Sequence, residues 1–207
     1  MSPLRRPPDP VDLLDFPSWE LLPSFTLHRV HRSVHGPIYF ASGRGGRFNL
    51  RYASGTCYLA EEGVAAFLEA LQDVLPPLPT TYLPRPEVEA RRISRLTVVA
   101  PVRLADFTSE RAAAFGITGQ VHASRRNDHG RTRAWAATLA RAGFAEVRYF
   151  AKHNPAQNSI SVALFGQAGG GVPGAVSNLE VHATQEIGGD LLRELERRFG
   201  IRVLAHP

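Results

Sequence analysis

Three residues in successive stretches of this chain have the types and spacing to act together: Arg47 in Gly46-Arg47-Phe48-Asn49, Tyr58 in Tyr58-Leu59-Ala60, and Glu69 on an expected helix. A guanidinium is a permanently charged fork that suits a phosphate or carboxylate. An aromatic face suits a flat ring, and a carboxylate stabilises positive charge as it develops. Brought to one cleft, these are the parts needed to hold and cleave a nicotinamide dinucleotide.

Each of them also has a plainer reading. The glycines before Arg47 cost folding entropy and are often used where backbone approaches phosphate, yet a solvated loop arginine is the commoner fate. Tyr58 points away from Cys57 and Leu59, toward a cleft or a second core layer, and core tyrosines outnumber stacked ones. Glu69 borders an apolar stripe, and its i+4 neighbour Asp73 is a like charge that does not support an exposed helix. Arg29 shares a strand face with Phe25 and Leu27. If that face is buried, its guanidinium needs an anionic or carbonyl partner, which Glu69, a ligand phosphate or a surface carboxylate can supply.

The elements that must position these residues are legible in outline. Residues 1–24 contain many prolines and read as an irregular leader with a short helical turn around 11–16. Alternation from Phe25 gives a strand, Gly43, Gly45 and Gly46 a turn, and residues 56–60 a short strand. Val64, Phe67, Leu68, Leu71 and Leu75 follow helical spacing up to Pro76-Pro77. Residues 93–107 read as strand broken at Pro101, followed by a polar loop with His122 and Asp128. A helix is expected over 132–142 with Gly143 as its cap, then strands over 146–150 and 159–165. The second is apolar on both faces, as a covered central strand should be. Gly169-Gly170-Gly171 opens a flexible stretch before a helix over 190–199 and a strand over 201–204. The order lacks the regular alternation of a doubly wound sheet, so the fold class is α+β, with a single domain over 25–207.

Composition narrows the function classes. The 207 residues hold 43% hydrophobic and 21% charged side chains, which suits one packed globular core. Net charge is +5, almost all of the excess being arginine, and it is spread along the chain; a phosphorylated ligand fits better than direct nucleic-acid binding. Cys57 is the sole cysteine, so neither an intrachain disulfide nor a thiolate zinc site is available, and a cytoplasmic location is expected. No run reaches membrane-spanning length and the N-terminal stretch has no apolar core of a signal peptide. His28, His31 and His35 do not form a metal set, because His28 and His31 project to opposite faces. No serine-histidine-acid set, P-loop or Rossmann fingerprint is present.

Taken in order, Leu27-His28-Arg29-Val30, Gly46-Arg47-Phe48-Asn49, Tyr58-Leu59-Ala60, Glu69, Thr132-Arg133-Ala134-Trp135-Ala136 and Val162-Ala163-Leu164-Phe165 resemble the RES domain family, over about residues 25–166. The resemblance implies mixed sheets with flanking helices similar to the ADP-ribosyltransferase toxins. It also implies an NAD-degrading toxin of a toxin-antitoxin pair, acting as an NAD phosphorylase or glycohydrolase with NAD as substrate and no bound cofactor. The expected partner is an Xre-type antitoxin with a helix-turn-helix region, in a homodimeric or hetero-oligomeric state that stays open. By position, Arg29 and Arg47 would contact phosphates, Tyr58 would stack near nicotinamide and Glu69 would bond the ribose hydroxyls. The chain departs from the family at Tyr149-Phe150-Ala151-Lys152, where a serine and an arginine are usual. Asn158, Ser159, Lys152 or His153 are the candidates to replace the missing hydroxyl and guanidinium. Two alternatives remain: transfer of ADP-ribose to a macromolecule, and a catalytically silent module that binds a protein or nucleic acid through Arg91, Arg92, Arg95, Arg125 and Arg126.

Overall fold

The computed structural model describes residues 4–71, 81–124, 126–152, 154, 156–170 and 178–204. In chain order the strands are β1 (Ser18–Leu21), β2 (Thr26–Arg32), β3 (Tyr39–Phe40), β4 (Ser54–Ala60), β5 (Thr81–Pro84), β6 (Arg91–Val98), β7 (Val102–Asp106), β8 (Glu146–Phe150), β9 (Ile160–Gln167), β10 (Gly169–Gly170), β11 (Leu179–Glu186) and β12 (Ile201–Leu204). The helices are α1 (Gly63–Leu71), α2 (Arg85–Glu89), α3 (Gln120–Ala123), α4 (His129–Arg141) and α5 (Gly189–Phe199). The class is α+β.

Eight strands form one mixed sheet in the order β1-β7-β8-β9-β4-β2-β6-β11, antiparallel except for β7 with β8. Around its centre β4 pairs with β9 over seven residues, whereas β4 and β2 share only His28↔Ala60. The sheet therefore parts between β2 and β4, and α1, which follows β4 directly, lies against the gap. Among the described residues, two small sheets, β3 with β10 and β5 with β12, accompany it.

Alternation along β4 and β9 divides the core. Cys57, Leu59, Val162 and Leu164 join Leu27, Leu96 and Phe40 on one face. On the other, Ala163 joins Phe48, Trp135, Leu139 and Tyr149, with Tyr58 packed against them. Beyond the parting, Phe67, Leu68 and Leu71 of α1 pack with Val30, Ala151, Leu195 and Ile201. The expected covered strand is thus β9, buried continuously from Ile160 to Leu164.

Several elements differ from the sequence reading. The proline-rich leader has a 3-10 turn at Pro10–Leu13, shorter than the turn expected over 11–16, and it contributes β1, which pairs with β7. Leu13 and Phe16 enter the core beside Trp135, so hydrophobic anchoring overrides the irregular composition. α4 begins at His129, three residues early, and part of the expected polar loop is the short α3. β3, β5, β10 and β11 were not anticipated; each gains its hydrogen bonds from a strand distant in sequence, which local pattern cannot supply. The five-residue helix α2 was also not anticipated. The helix tail at Leu75, the Pro76-Pro77 stop, Gly171, Arg125 and His153 lie outside the described residues.

Candidate active site

Arg47 lies in the loop before β4 and is fully buried, an unusual position for a guanidinium. Its Nη2 donates to Glu69 Oε1 at 2.7 Å, and its Nη1 donates to the carbonyl of His122. The guanidinium carbon sits 4.9 Å from the Tyr149 ring centroid, close enough for a cation–π contact. Burial works against this charge, but the Glu69 carboxylate more than offsets it, and the Arg47 pKa lies above its ordinary value.

Glu69 is held from both sides. Besides Arg47 on Oε1, Tyr149 Oη donates to Oε2 at 3.1 Å. A buried carboxylate left unpaired is costly, and here each oxygen has its own donor from a different element. Each also retains a lone pair for a further donor. Glu69 is 8% exposed, and it lines a cavity of about 170 Å3 at the parting of β2 and β4, together with Arg29, His31, Arg32, Tyr58 and Arg91.

The loop that carries Arg47 is fastened twice. From β4, Thr56 and Tyr58 project from one face, two residues apart. Tyr58 Oη accepts the Phe48 N–H at 2.9 Å and donates to Asn49 Oδ1 at 2.8 Å, and Thr56 Oγ1 donates to the Phe48 carbonyl at 2.9 Å. Burial pushes the Tyr58 pKa upward, so the phenol stays protonated and keeps its donor. From α4, His129 Nδ1 bonds the carbonyl of Gly45 at 3.0 Å, Thr132 Oγ1 donates to that of Arg47 at 2.6 Å, and Arg133 Nη1 donates to that of Arg44 at 2.7 Å. Positions 129, 132 and 133 are i, i+3 and i+4, so one helix face straps three carbonyls of the loop. A Cβ at Gly46 would collide with Asn49 Oδ1 and Tyr58 Oη. Its requirement for glycine is therefore set by the protein's own packing, whereas Gly43 and Gly45 have open space above them.

Arg29 does not reach Glu69. Its Nη1 and Nη2 donate to the carbonyls of Pro37 and Tyr39 at 2.6 and 3.0 Å, so of the partners considered the carbonyl one prevails. It nonetheless lines the same cavity as Glu69 and Tyr58. The residues put forward to replace the family serine lie elsewhere. Ser159 is fully buried and, like Asn158, accepts from Asn154 Nδ2 at 2.6 Å. Neither lines the cavity. Lys152 follows β8, and its charge, after burial and the charges of Arg47 and Arg133, helps lower the His129 pKa. Ala151 is 2% exposed within the apolar cluster under α1.

Two participants escaped the sequence reading. Tyr149 was noted only as part of a departing motif, although it alternates with Val147 into the same core and so had to face the α4 side. His122 supplies its backbone carbonyl, which no pattern announces. Its ring Nδ1 accepts the Phe150 N–H at 3.2 Å, and burial, then the charge of Arg47, pulls its pKa down to about 4, so the imidazole is neutral at pH 7. Among the surface arginines considered, Arg91 is 3% exposed and bonds Glu87 at 2.7 Å, so it is not a surface residue, while Arg92 pairs with Glu186. Of the three histidines, His28 Nδ1 bonds the Glu61 carbonyl, and His31 bonds Ser94 Oγ and the His35 carbonyl. Among the described residues no helix is long and apolar enough to cross a membrane.

The RES domain model matches residues 26–184, spanning the loop, the cavity and, but for the last two residues of β11, every strand of the central sheet after β1. The chain belongs to the RES domain family. Among solved structures, a chain in the crystal structure of the M. tuberculosis MbcT-MbcA toxin-antitoxin complex is similar with a TM-score of 0.62 at 18% identity, over 91% of this chain and 95% of that one. At that identity the likeness concerns the fold. No curated protein matches the chain. Within the RES domain, the arginine and glutamate put forward from the sequence are the pair joined at 2.7 Å.

Proposed function

We propose that this RES domain protein is an NAD-consuming toxin of a toxin-antitoxin pair, breaking the bond between nicotinamide and ribose. The observation that carries the reading is the placement of Glu69: a buried carboxylate, each oxygen held by a separate donor, on the wall of a cavity shared with Arg29 and Tyr58. A volume of about 170 Å3 is well below the roughly 300–1,000 Å3 of sites that enclose drug-sized ligands. It takes one end of a dinucleotide, and the nicotinamide–ribose end is the one that needs an apolar wall beside a carboxylate. The pyrophosphate then lies toward Arg29 and Arg32, the first of which keeps unspent N–H donors.

In the reaction the bond from ribose C1′ to the pyridinium nitrogen breaks, and its electron pair leaves with nicotinamide, which becomes neutral. Positive charge builds on the ribose ring. Glu69, paired with Arg47 and fixed by Tyr149, stabilises that charge and accepts from a ribose hydroxyl. Water or phosphate then forms the new bond at C1′, water releasing its proton to solvent, to give ADP-ribose or its 1-phosphate. Ala151 brings no hydroxyl to the site, which favours water. An antitoxin partner is supported by the family and by the toxin-antitoxin complex that contains the similar chain; its helix-turn-helix character is what the family resemblance implies.

The deciding experiment measures NAD loss by purified protein, with and without phosphate, beside Glu69→Gln. Loss that disappears in the variant supports the reading, and the product identifies the nucleophile. Intact NAD under both conditions rejects it. Adding cell extract with labelled NAD tests the transferase alternative, because a labelled macromolecule appears only if ADP-ribose is transferred.

A further inference from the structure

α4 and the turn before β4 enclose an open groove of about 580 Å3 that shares no lining residue with the cavity. Its floor is built from small side chains: Gly130, Ala134 and Ala137 recur along one face of α4 and end at Arg141, with Ala140 and Leu50 beside them. Spacings of four, three and four residues keep such positions on one stripe, about 18 Å long at 1.5 Å per residue. Gly130 and Ala137 are solvent-exposed and Ala134 partly so, and among the described residues none covers the stripe at the two exposed positions.

The rim is cationic. Arg51, Arg133 and Arg141 line the groove, no carboxylate does, and among the described residues neither these three nor the nearby Arg44 forms an ion pair. Arg133 shows the crowding, since burial and then repulsion from Arg51 and Arg44 depress its pKa. At one end Tyr52 stands 89% exposed on a left-handed backbone, φ +66°, with the Arg51 guanidinium 5.8 Å from its ring. An exposed aromatic beside arginines is the kind of residue that anchors protein interfaces. Small residues between cationic walls admit a close-packed helix whose apolar side chains meet the alanines and whose carboxylates meet the arginines.

We propose that this groove docks an acidic amphipathic helix carried by a partner protein, the partner being the antitoxin if the toxin reading holds. A nucleic acid would use the arginines but gain nothing from the apolar floor. The position also has a consequence for the site, because Asn49 and Arg133 belong both to the groove and to the fastening of the Arg47 loop. An occupied groove is coupled to Arg47 without entering the cavity.

The test selects binders from a displayed library of random peptides of about 12 residues, the length whose helix matches the stripe, against the full-length protein. Selected peptides are then titrated against Ala137→Arg, which blocks the floor while adding positive charge, and against the doubly substituted Arg51→Glu/Arg141→Glu. The expected result is enrichment of acidic peptides with apolar faces, and binding weakened about tenfold or more by either variant. Overturning results are no enrichment, a pool without acidic bias, or peptides that bind Ala137→Arg as well as wild type. A duplex or single-stranded oligonucleotide that binds more tightly to Ala137→Arg than the selected peptides do would likewise transfer the groove to nucleic acid. NAD loss is measured on the same preparations. Ala137→Arg retains it, so failure of the groove and failure of the NAD reading are separately visible.

Discussion

Tyr149 Oη donates to Glu69 Oε2 at 3.1 Å while its ring lies beneath the Arg47 guanidinium, so one side chain fixes both members of the buried ion pair. A hydrogen bond to a charged group contributes about 1.5–3 kcal/mol. If that contribution is expressed in the transition state, Tyr149→Phe lowers kcat for NAD loss by about 10- to 100-fold with KM little changed. Steady-state kinetics on the variant checks this, and equal losses in affinity would argue for a general packing role.

The ion pair itself makes a stability prediction. Arg47→Met leaves Glu69 buried with a single donor and no cation, and breaking a buried pair in this way costs about 3–5 kcal/mol. Adding Glu69→Leu removes the stranded carboxylate and recovers much of that loss. Denaturant unfolding of both singles and the double closes the cycle; additivity would mean the two residues are energetically independent.

Thr132→Val keeps the shape of the side chain but removes the donor to the Arg47 carbonyl, 2.6 Å away. Leaving a buried carbonyl unsatisfied costs about 1–3 kcal/mol. Faster amide exchange should appear in residues 43–49, with the sheet unaffected, because the strap from α4 acts on that loop.

Glu146, on β8, is fully buried in the apolar layer between Leu104 and Leu164, and neither carboxylate oxygen has a partner. Burial pushes its pKa up to about 8 from 4.5. A folded-state value above the unfolded one favours the folded state at low pH, and that advantage disappears as pH rises from about 4.5 through 8. Glu146→Gln carries no proton to lose and should show a flatter stability profile across this window. At pH 8.5 or so the variant should exceed wild type in stability by on the order of 2–4 kcal/mol. Thermal melts between pH 5 and pH 9 would show it, and parallel profiles would count against an ionising Glu146.

Much of the architecture was readable because it rests on local pattern. Period-two alternation placed Leu27 and Arg29 on one strand face and separated Tyr58 from Cys57 and Leu59, and the α1 stripe put Glu69 at its border. Covering β9 on both faces followed from its apolar composition. Residue types at those positions also determined the chemistry on offer: a guanidinium, a phenol and a carboxylate.

Which groups meet was decided by the tertiary structure alone. Arg47 and Glu69 are 22 residues apart and join only because β4 carries the chain between the loop and α1; Tyr149 reaches the same carboxylate from 80 residues further along. The parting of β2 from β4 at a single register pair, which opens the cavity, is a property of strand pairing and leaves no trace in either strand's own sequence. For the same reason Arg29 found carbonyls in place of a carboxylate, and a leader rich in proline became an edge strand: long-range hydrogen bonds and burial outweigh local preference wherever the two compete.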